Sequence, residues 1–439
     1  MRHATAVKVQ RGQTLVLGLT LLLVCGLGLF YVFSSGQTVI TRSRLVNATD
    51  AAAYSAGLTR ARAMNWYAYT NRAIVANEVA IAQAATMVSY AKFLERFTDN
   101  VEDVARYFPY VGQIAQALEQ VAYYVSELTQ YTAMVEVPVR AGHALALAAS
   151  QDAMLAATSG FGLSQVATEV ARANDRRFFA HALPADTDAV FGDMTKKYGG
   201  DDRKRMRDVV LASLDPFSLN RDHDIEVPGL PCAPRLARRG ATEMVRDHEE
   251  SFDRWQAYDT LSLHLPRGLF CRQREVLPIG WGAAEIADNP KNELDSLGAG
   301  ASGSKRANPR AYQEASDEIW VADFYKGLPG TRELDYQDSA ALRANARFPT
   351  TRVAVVGRTN GTSVVATAQA AGHGKGRIQP VDRFAAGRMT AVATAEVYFR
   401  RPPQALERIE YASLYSPYWQ VRLVETPVAW RLLVAEAYP

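Results

Sequence analysis

The sequence has few cysteines, little net charge and, after its N-terminal region, no apolar run long enough to cross a bilayer. Its 49 Lys and Arg residues nearly balance 46 Asp and Glu residues, which leaves a net charge of +3. Because the basic residues are scattered, this balance argues against a nucleic-acid-binding protein. The basic cluster of Arg235, Arg238 and Arg239 is predicted to face solvent. Neither a Gly-x-Ser-x-Gly nor a His-Glu-x-x-His motif occurs, so two common hydrolase signatures are absent.

The three cysteines leave room for one disulfide at most. Cys25 lies within an apolar stretch, where a thiol behaves as a small hydrophobic group. Cys232 and Cys271 both lie later in the chain, where an oxidising compartment would permit a bridge between them. Such a bridge would stabilise the fold by about 4 kcal/mol in the chain-entropy model. Two separate buried thiols are the alternative, and the sequence does not decide between the two.

The clearest signal is an uncharged apolar segment at residues 14–33. At about 1.5 Å per residue it matches the roughly 30 Å hydrocarbon core of a bilayer. The flanking basic residues are Arg2, Lys8 and Arg11 before the segment, and Arg42 and Arg44 after it. The positive-inside rule therefore predicts a cytoplasmic N-terminus. A removable secretory signal is the alternative, but such signals are shorter and residues 34–36 form a poor cleavage site.

Three glycines in this apolar segment are candidates for helix packing within the membrane. In lipid, helices associate through close packing rather than through the hydrophobic effect, and small residues permit close approach. We therefore predict that Gly18, Gly26 and Gly28 pack against another membrane helix. The alternative is that they are simply glycines tolerated in any membrane helix.

The sequence predicts an α+β chain in which a helical region precedes a mixed region with an antiparallel sheet. The predicted regions are a cytoplasmic N-terminus at 1–12, a transmembrane helix at 13–35, an extracytoplasmic helical region at 36–183 and an extracytoplasmic α+β domain at 184–439. A long helix at 39–97 continues the membrane helix outward, since this stretch is rich in good helix formers and lacks proline.

Two further helices are predicted to form an antiparallel bundle with the first. In the first of these, at 111–130, apolar residues recur every three or four positions along one face. Pro109 and Pro138 are predicted to end it on either side, and the last helix covers 141–182.

Strands are predicted in the mixed region at 352–357, 363–367, 389–399, 419–425 and 430–435. The first two flank an Asn-Gly pair at Asn360 and Gly361, which favours a tight hairpin.

Five segments carry a recognisable pattern. They are residues 11–14 (Arg-Gly-Gln-Thr), 44–53 (Arg-Leu-Val-Asn-Ala-Thr-Asp-Ala-Ala-Ala), 65–73 (Asn-Trp-Tyr-Ala-Tyr-Thr-Asn-Arg-Ala), 76–78 (Ala-Asn-Glu) and 414–420 (Leu-Tyr-Ser-Pro-Tyr-Trp-Gln). Together they resemble TadE/TadG-like proteins of Flp (tight adherence) pilus assembly, chiefly in the N-terminal region. The resemblance implies a component of such a pilus, or of its secretion machinery, in a bacterial inner membrane.

Two features depart from the family pattern. Prepilins cut by the dedicated peptidase carry Glu at the fifth position after the cleaved glycine, whereas Leu17 stands at that distance from Gly12. Cleavage and polymerisation like a pilin are therefore not expected. Some TadG-type members carry a von Willebrand A domain with an Asp-x-Ser-x-Ser metal site. That string does not occur here, so no metal of that type is expected.

Three polar clusters contain residue types that could bind a metal or phosphate or carry out catalysis. Residues 222–224 (Asp-His-Asp) are predicted to form a solvated acidic loop, because a tight metal site needs ligands from several directions. His248 lies in a charged run that is predicted to be a solvated helix. The glycine-rich residues 372–377 lack the spacing of a phosphate-binding loop and are predicted to be a turn. No catalytic residue, metal or cofactor is therefore expected.

These observations predict a non-enzymatic, single-pass inner-membrane protein that acts through protein contacts. Its expected partners are other pilus-assembly or secretion proteins and the lipid bilayer, with no nucleic acid or small-molecule substrate. The residues predicted to dock a partner are Asn47, Asp50, Asn71, Arg72 and Asn77. The alternatives are a membrane-tethered periplasmic enzyme, such as a hydrolase with its site after Pro184, and a released surface adhesin.

Overall fold

A computed structural model defines the fold, which is α+β as the sequence predicts. One long N-terminal helix leads into a folded part that contains helices and antiparallel sheets. The residues that the structure describes are 13–106, 111–183, 191–192, 194–198, 204–226, 232–246, 252–268, 271–295, 308–334, 349–359, 389–402 and 411–437.

The helices and strands alternate irregularly along the chain. The helices are α1 (Gln13–Ala105), α2 (Val111–Ala157), α3 (Gly160–Asn174), α4 (Lys204–Ala212), α5 (Pro216–Leu219), α6 (Pro309–Asp317) and α7 (Val428–Ala437). The strands are β1 (Phe178–Ala182), β2 (Thr195–Tyr198), β3 (His223–Glu226), β4 (Arg235–Arg246), β5 (Phe252–Arg267), β6 (Arg272–Ala287), β7 (Trp320–Ala322), β8 (Thr331–Leu334), β9 (Thr350–Thr359), β10 (Thr390–Phe399) and β11 (Trp419–Val424).

Helix α1 is the central element of the molecule. It contains 93 residues and runs without a break from the apolar segment into the folded part. At about 1.5 Å per residue it is roughly 140 Å long. The prediction that a long helix continues from the apolar segment is therefore confirmed. Many of its buried residues are alanines, so neighbouring elements can pack closely against it on several sides.

Helix α2 runs antiparallel to α1 and packs along it. Near the end of α2, Gln151 donates a hydrogen bond of 2.8 Å to Thr70. Further toward the start of α2, Leu128 lies beside Met87 in a shared groove. The side chains of α2 that face the core are small, with Ala133 among those buried. The prediction that a helix at 111–130 runs antiparallel to the first is confirmed, whereas the predicted bundle with a separate third helix from residue 141 is not found.

The prediction that Pro138 ends a helix is wrong. Helix α2 passes through Pro138 and continues to Ala157. A proline within a helix costs about 3 kcal/mol. Val137 and Ala141 on either side are buried in the core, and this packing on α1 offsets the cost. The two helices predicted at 111–130 and 141–182 are instead α2 and the shorter α3.

A four-stranded antiparallel sheet packs on the part of α1 nearest the apolar segment. Its strand order is β1-β9-β10-β11. The core between sheet and helices includes Leu45 of α1, Leu163 of α3, Phe178 of β1 and Val353 of β9. Strand β1 lies within the region predicted to be helical up to residue 182, so that prediction is wrong at this end. Two successive phenylalanines begin β1, and aromatic residues favour strands.

A five-stranded sheet packs on the part of α1 that lies farther from the apolar segment. Its order is β3-β4-β5-β6-β7, and every pair is antiparallel except β6 with β7. The core between this sheet and α1 contains Val88 of α1, Trp255 of β5 and Ile286 of β6. None of these five strands was predicted from the sequence. Strands β2 and β8 form a separate antiparallel pair.

The strand predictions near the C-terminus are confirmed in part. Strands β9, β10 and β11 correspond to the strands predicted at 352–357, 389–399 and 419–425. The strand predicted at 430–435 is wrong, because these residues form helix α7. The strand predicted at 363–367, and with it the Asn-Gly hairpin, lies outside the described residues.

Glycines allow both large sheets to approach α1 closely. A Cβ atom added at Gly282 of β6 would lie 2.3 Å from the carbonyl oxygen of Ser89 in α1. On the other sheet, α1 itself supplies the glycine. A Cβ atom at Gly57 would lie 2.7 Å from the side chains of Ala395 and Val421. Because Gly282 meets backbone, no larger residue fits there without moving the sheet away from α1.

Candidate functional site

The apolar segment projects from the folded part with its side chains exposed. Within the described part of the chain, α1 is the helix long and apolar enough to cross a membrane, and its most apolar window is 0% buried. Exposed apolar side chains over such a length are typical of a membrane span or a signal anchor. Apart from the adjacent residues and backbone of α1 itself, no described atom lies within 4 Å of a Cβ atom added at Gly18, Gly26 or Gly28. Their packing against another membrane helix stays a prediction.

Between residues 47 and 72, α1 leaves a narrow face exposed between the elements that cover it. We call this face the α1 strip. Its exposed residues are Asn47, Tyr54, Arg62, Trp66, Tyr69 and Arg72. Tyr69 is 60% exposed, and the Trp66 indole donates a hydrogen bond of 3.3 Å to Ser150 of α2. Tyr, Trp and Arg are the residues that most often contribute strongly to protein–protein binding.

The five predicted docking residues differ in how far their side chains are exposed to solvent. Asn47 and Arg72 are exposed on the α1 strip, whereas Asp50 is only partly exposed. Burial raises the pKa of the Asp50 carboxyl above its usual value of 3.8. Asn71 and Asn77 are buried, with 0% and 4% of their surface exposed. The prediction that Asn71 and Asn77 dock a partner is therefore wrong.

Asn71 instead joins α1 to the rest of the fold. Its amide donates hydrogen bonds to the carbonyl oxygens of Arg332, at 2.8 Å, and Leu414, at 2.9 Å. It also accepts a hydrogen bond of 2.6 Å from Gln151 of α2. The Asn77 amide donates to the carbonyl oxygen of Ala73 within α1. A buried amide needs such partners, because an unpaired polar group in the core is costly.

A second asparagine links two segments that lie far apart in the sequence. Asn65 accepts a hydrogen bond from the backbone amide of Trp419 and donates one to its carbonyl oxygen, both at 3.0 Å. Residues 65–73 and 414–420, which both carry the family resemblance, thus contact each other directly. The asparagines in the first segment hold the second segment against α1, so both form part of one structural unit.

A buried ion pair connects α1 with the five-stranded sheet. Arg221 donates to Asp259 at 2.8 Å, and the two side chains are 1% and 0% exposed. The Ser89 hydroxyl of α1 donates to the other oxygen of Asp259 at 2.9 Å. Arg221 also contacts Thr242 of β4 and the carbonyl oxygen of Tyr258. The network is well satisfied, so its role in the fold is structural.

The side chains of residues 222–224 do not converge to form a metal site. Asp224 pairs with Arg239 at 2.7 Å, and His223 is exposed on β3. The cluster forms the start of an edge strand rather than the predicted loop. Among the described residues, no three His, Cys, Asp or Glu side chains are placed to share a metal ion. The interpretations of His248 and of residues 372–377 lie outside the described residues.

Helix α5 is capped by an aspartate that also contacts α1. Asp215 accepts hydrogen bonds from the amide of Ser218, at 2.9 Å, and from Gln83 of α1, at 3.0 Å. Burial by itself would raise its pKa, but these bonds lower the pKa of Asp215 to about 2 from the usual 3.8. The carboxylate therefore stabilises the fold above its unfolded-state pKa, and this contribution is lost as the pH falls toward the folded-state value.

We expect Asp215→Ala to destabilise the protein by about 1 kcal/mol at neutral pH, because an N-cap is lost. The difference between variant and wild type should shrink as the pH falls through the region between the two pKa values. Urea unfolding over a pH series measures it. Asp215→Asn is the matched control, since asparagine still caps but does not titrate. A difference that does not change with pH would contradict this assignment.

The outward face of α2 carries a second exposed surface, which is apolar. We call it the α2 seam, and its members are Ile114, Leu118, Val121, Val125, Leu128, Val135 and Val139. The exposed Thr132 lies on the same face. Tyr124 and Tyr131, 70% and 64% exposed, flank the seam. An apolar face of this length is seldom left open to water in a soluble monomer.

The chain was also compared with known proteins. No protein-family model, no curated protein and no solved structure matches it. The features of the molecule that bear on its function are therefore the apolar segment, the continuous helix α1, the α1 strip and the α2 seam.

Proposed function

We propose that this chain is a non-enzymatic, single-pass inner-membrane component of a Tad/Flp-type pilus assembly or secretion apparatus. Residues 1–12 lie in the cytoplasm and the folded part lies in the periplasm. The protein binds other components of the apparatus through the α1 strip and through its outer surfaces. Its task is to hold these components at a set position relative to the membrane.

The observation that carries this proposal is the continuity of α1. The same helix supplies the exposed apolar segment and the central packing surface of both large sheets. A flexible linker would let the folded part move freely, whereas a helix buried among sheets fixes it to the membrane segment. Such an arrangement suits a scaffold more than a tethered enzyme, which needs only proximity to the membrane.

Two further observations support the location and the mode of action. Cys232 and Cys271 form a disulfide, and disulfides persist in the oxidising periplasm but are rare in the cytosol. The balance of basic residues on the two sides of the apolar segment also favours a cytoplasmic N-terminus. The α1 strip offers aromatic and arginine side chains of the kind that bind proteins. Together they favour protein contacts outside the cytoplasm.

The test is photo-crosslinking in living cells from single positions on the α1 strip. A photoreactive residue at Asn47, Tyr69 or Arg72 is expected to give adducts of defined mass that contain pilus or secretion proteins. Gln116 is the matched control, because it is an exposed polar residue of α2 far from the strip. Lipid adducts alone, or the same products from Gln116, would refute the proposal.

Substitutions at two neighbouring residues distinguish a loss of docking from a loss of fold stability. We expect Arg72→Ala to reduce pilus assembly or secretion while changing the free energy of unfolding by no more than about 0.5 kcal/mol. Asn71→Ala should instead destabilise the fold by about 1–3 kcal/mol, because it leaves buried partners unsatisfied. Chemical unfolding and a secretion assay on the same samples measure both effects. Equal losses of stability in the two variants would contradict the distinction.

A further inference from the structure

From the pattern and exposure of the α2 seam, we propose that it pairs with the α2 seam of a second copy of this chain, in parallel. The seam residues are spaced alternately four and three positions apart from Ile114 to Leu128. The same spacing continues through Thr132, Val135 and Val139. Apolar residues at this spacing define the contact line of a two-stranded coiled coil.

The seam is not needed to hold the chain's own fold together. The opposite side of α2, which packs against α1, is lined mainly by small residues, including Ala133, Ala141 and Ala144. The larger apolar side chains therefore point outward. In a helix that had only α1 as its partner, the large apolar residues would be expected to face α1 and the polar residues to face solvent. The small residues of α2 thus serve the contact with α1, whereas its large apolar residues stay exposed for a further contact.

The area of the seam is sufficient for a stable dimer. Its apolar residues and the two flanking tyrosines are between 46% and 70% exposed. Together they present on the order of 1,000 Å² of surface, compared with about 800 Å² that each partner buries in a typical specific interface. A groove of about 300 Å³ between Leu128 and Met87 borders the seam and can accept side chains from the facing helix.

The bilayer is too far away to cover the seam. Gln83 of α1 lines the groove beside Leu128. It follows the apolar segment by fifty residues, so it lies about 75 Å beyond the membrane span at 1.5 Å per residue. This step depends on the proposed function, in which residues 14–33 span the membrane. Protein, rather than lipid, is then the partner.

Charge and orientation favour a second copy over a different protein. Coiled coils that select a different partner carry complementary charges beside the apolar line. Here the positions beside it hold mostly uncharged residues, among them Tyr124 and Tyr131. The charged Glu136 is already paired with Arg140 at 3.0 Å. Two copies anchored in one membrane share the same orientation, which brings each seam residue opposite its own counterpart and places Thr132 against Thr132.

The test is disulfide crosslinking of the full chain in membranes, in a Cys25→Ser background. A cysteine at Leu128 or Val135 should give an oxidised product of twice the chain mass. A cysteine at Gln116, exposed on a different side of α2, should give several-fold less. A disulfide forms only between Cα atoms closer than about 7 Å, so the positions report on geometry. Adding Val125→Glu should abolish the crosslink at Leu128 while leaving the free energy of unfolding of the chain unchanged.

Each other outcome overturns the pairing. These outcomes are seam crosslinks of a different mass, equal products from Gln116, and a crosslink that survives Val125→Glu. Sedimentation of the same samples after carbonate washing reports separately on the membrane segment. Protein that leaves the membrane refutes the proposed function, whereas protein that stays without crosslinking refutes only the pairing.

Discussion

The Asp259→Ala variant is expected to lose about 3–5 kcal/mol of folding free energy, because it leaves the buried Arg221 without its counter-charge. Arg221 is 1% exposed, so water cannot replace the lost carboxylate without opening the contact between α1 and the five-stranded sheet. Ser89 loses its bond to Asp259 as well. A loss of this size would use up much of the stability of an ordinary domain.

A double variant distinguishes the cost of leaving one buried charge unpaired from the cost of disturbed core packing. Replacing both partners by apolar residues, as in Arg221→Met with Asp259→Leu, should recover part of the loss, since no charge is then left buried alone. Urea unfolding of the full chain in detergent, followed by tryptophan fluorescence, gives the free energies. A double variant less stable than Asp259→Ala would show that the network contributes mainly through packing and hydrogen bonds.

Loss of the disulfide should cost about 4 kcal/mol in the chain-entropy model, since the bridge between Cys232 and Cys271 closes a loop across a sequence separation of 39. Cys232 precedes β4, and Cys271 lies in the turn between β5 and β6. The bridge therefore ties the beginning of one strand to the hairpin formed by the next two. The sequence left bridged and separate cysteines as alternatives, and the structure supports the bridge.

The Cys232→Ser/Cys271→Ser variant tests this expectation, with the reduced wild type as its control. Both should unfold at the same, lower urea concentration than the oxidised wild type. If reductant leaves the unfolding midpoint of the wild type unchanged, the bridge contributes no stability. If the variant is much less stable than the reduced wild type, the serines disturb the native packing instead.

The elements predicted correctly are those whose pattern is local. Helix α1 lacks proline over its whole length, and β9 and β10 are rich in β-branched residues that favour strands. Such signals depend on the segment itself. Pro138 was predicted wrongly because packing of Val137 and Ala141 on α1 overrides the local preference. Residues 430–435 were predicted wrongly for a different reason, since their Leu, Ala and Arg residues are good helix formers and the helix buries Val434 alone among its residues.

The five-stranded sheet was missed because its strands bury charged residues. Arg239 of β4 was predicted to face solvent but is 4% exposed and pairs with Asp224. Arg238 lies over the ring of Tyr90, with 4.9 Å between the guanidinium carbon and the ring centre. Charges at these positions hide the alternation of apolar and polar residues that marks a strand. Their partners come from distant segments, which no local pattern reveals.

For the candidate docking residues, too, the local sequence does not reveal which side chains are buried. Asn71 and Arg72 are neighbours on α1, yet one is buried in the core and the other is exposed. Polarity alone cannot distinguish an amide that binds a partner from one that completes the fold. The apolar spacing at 111–130 predicted the face that packs in a bundle with the first helix, but that face is exposed. It did not reveal that α1 covers the opposite face and leaves this one open.

We propose that residues 14–33 span the membrane and hold the folded part outside the cytoplasm. The most direct measurement fuses a reporter enzyme that is active only in the periplasm to the C-terminus. We expect an active reporter on a full-length fusion that stays in the membrane after carbonate washing. A matched reporter that is active only in the cytoplasm should then be inactive. Activity confined to the cytoplasm would contradict this topology. Release of a full-length fusion from the membrane after cleavage that removes residues 14–33 would contradict a retained anchor.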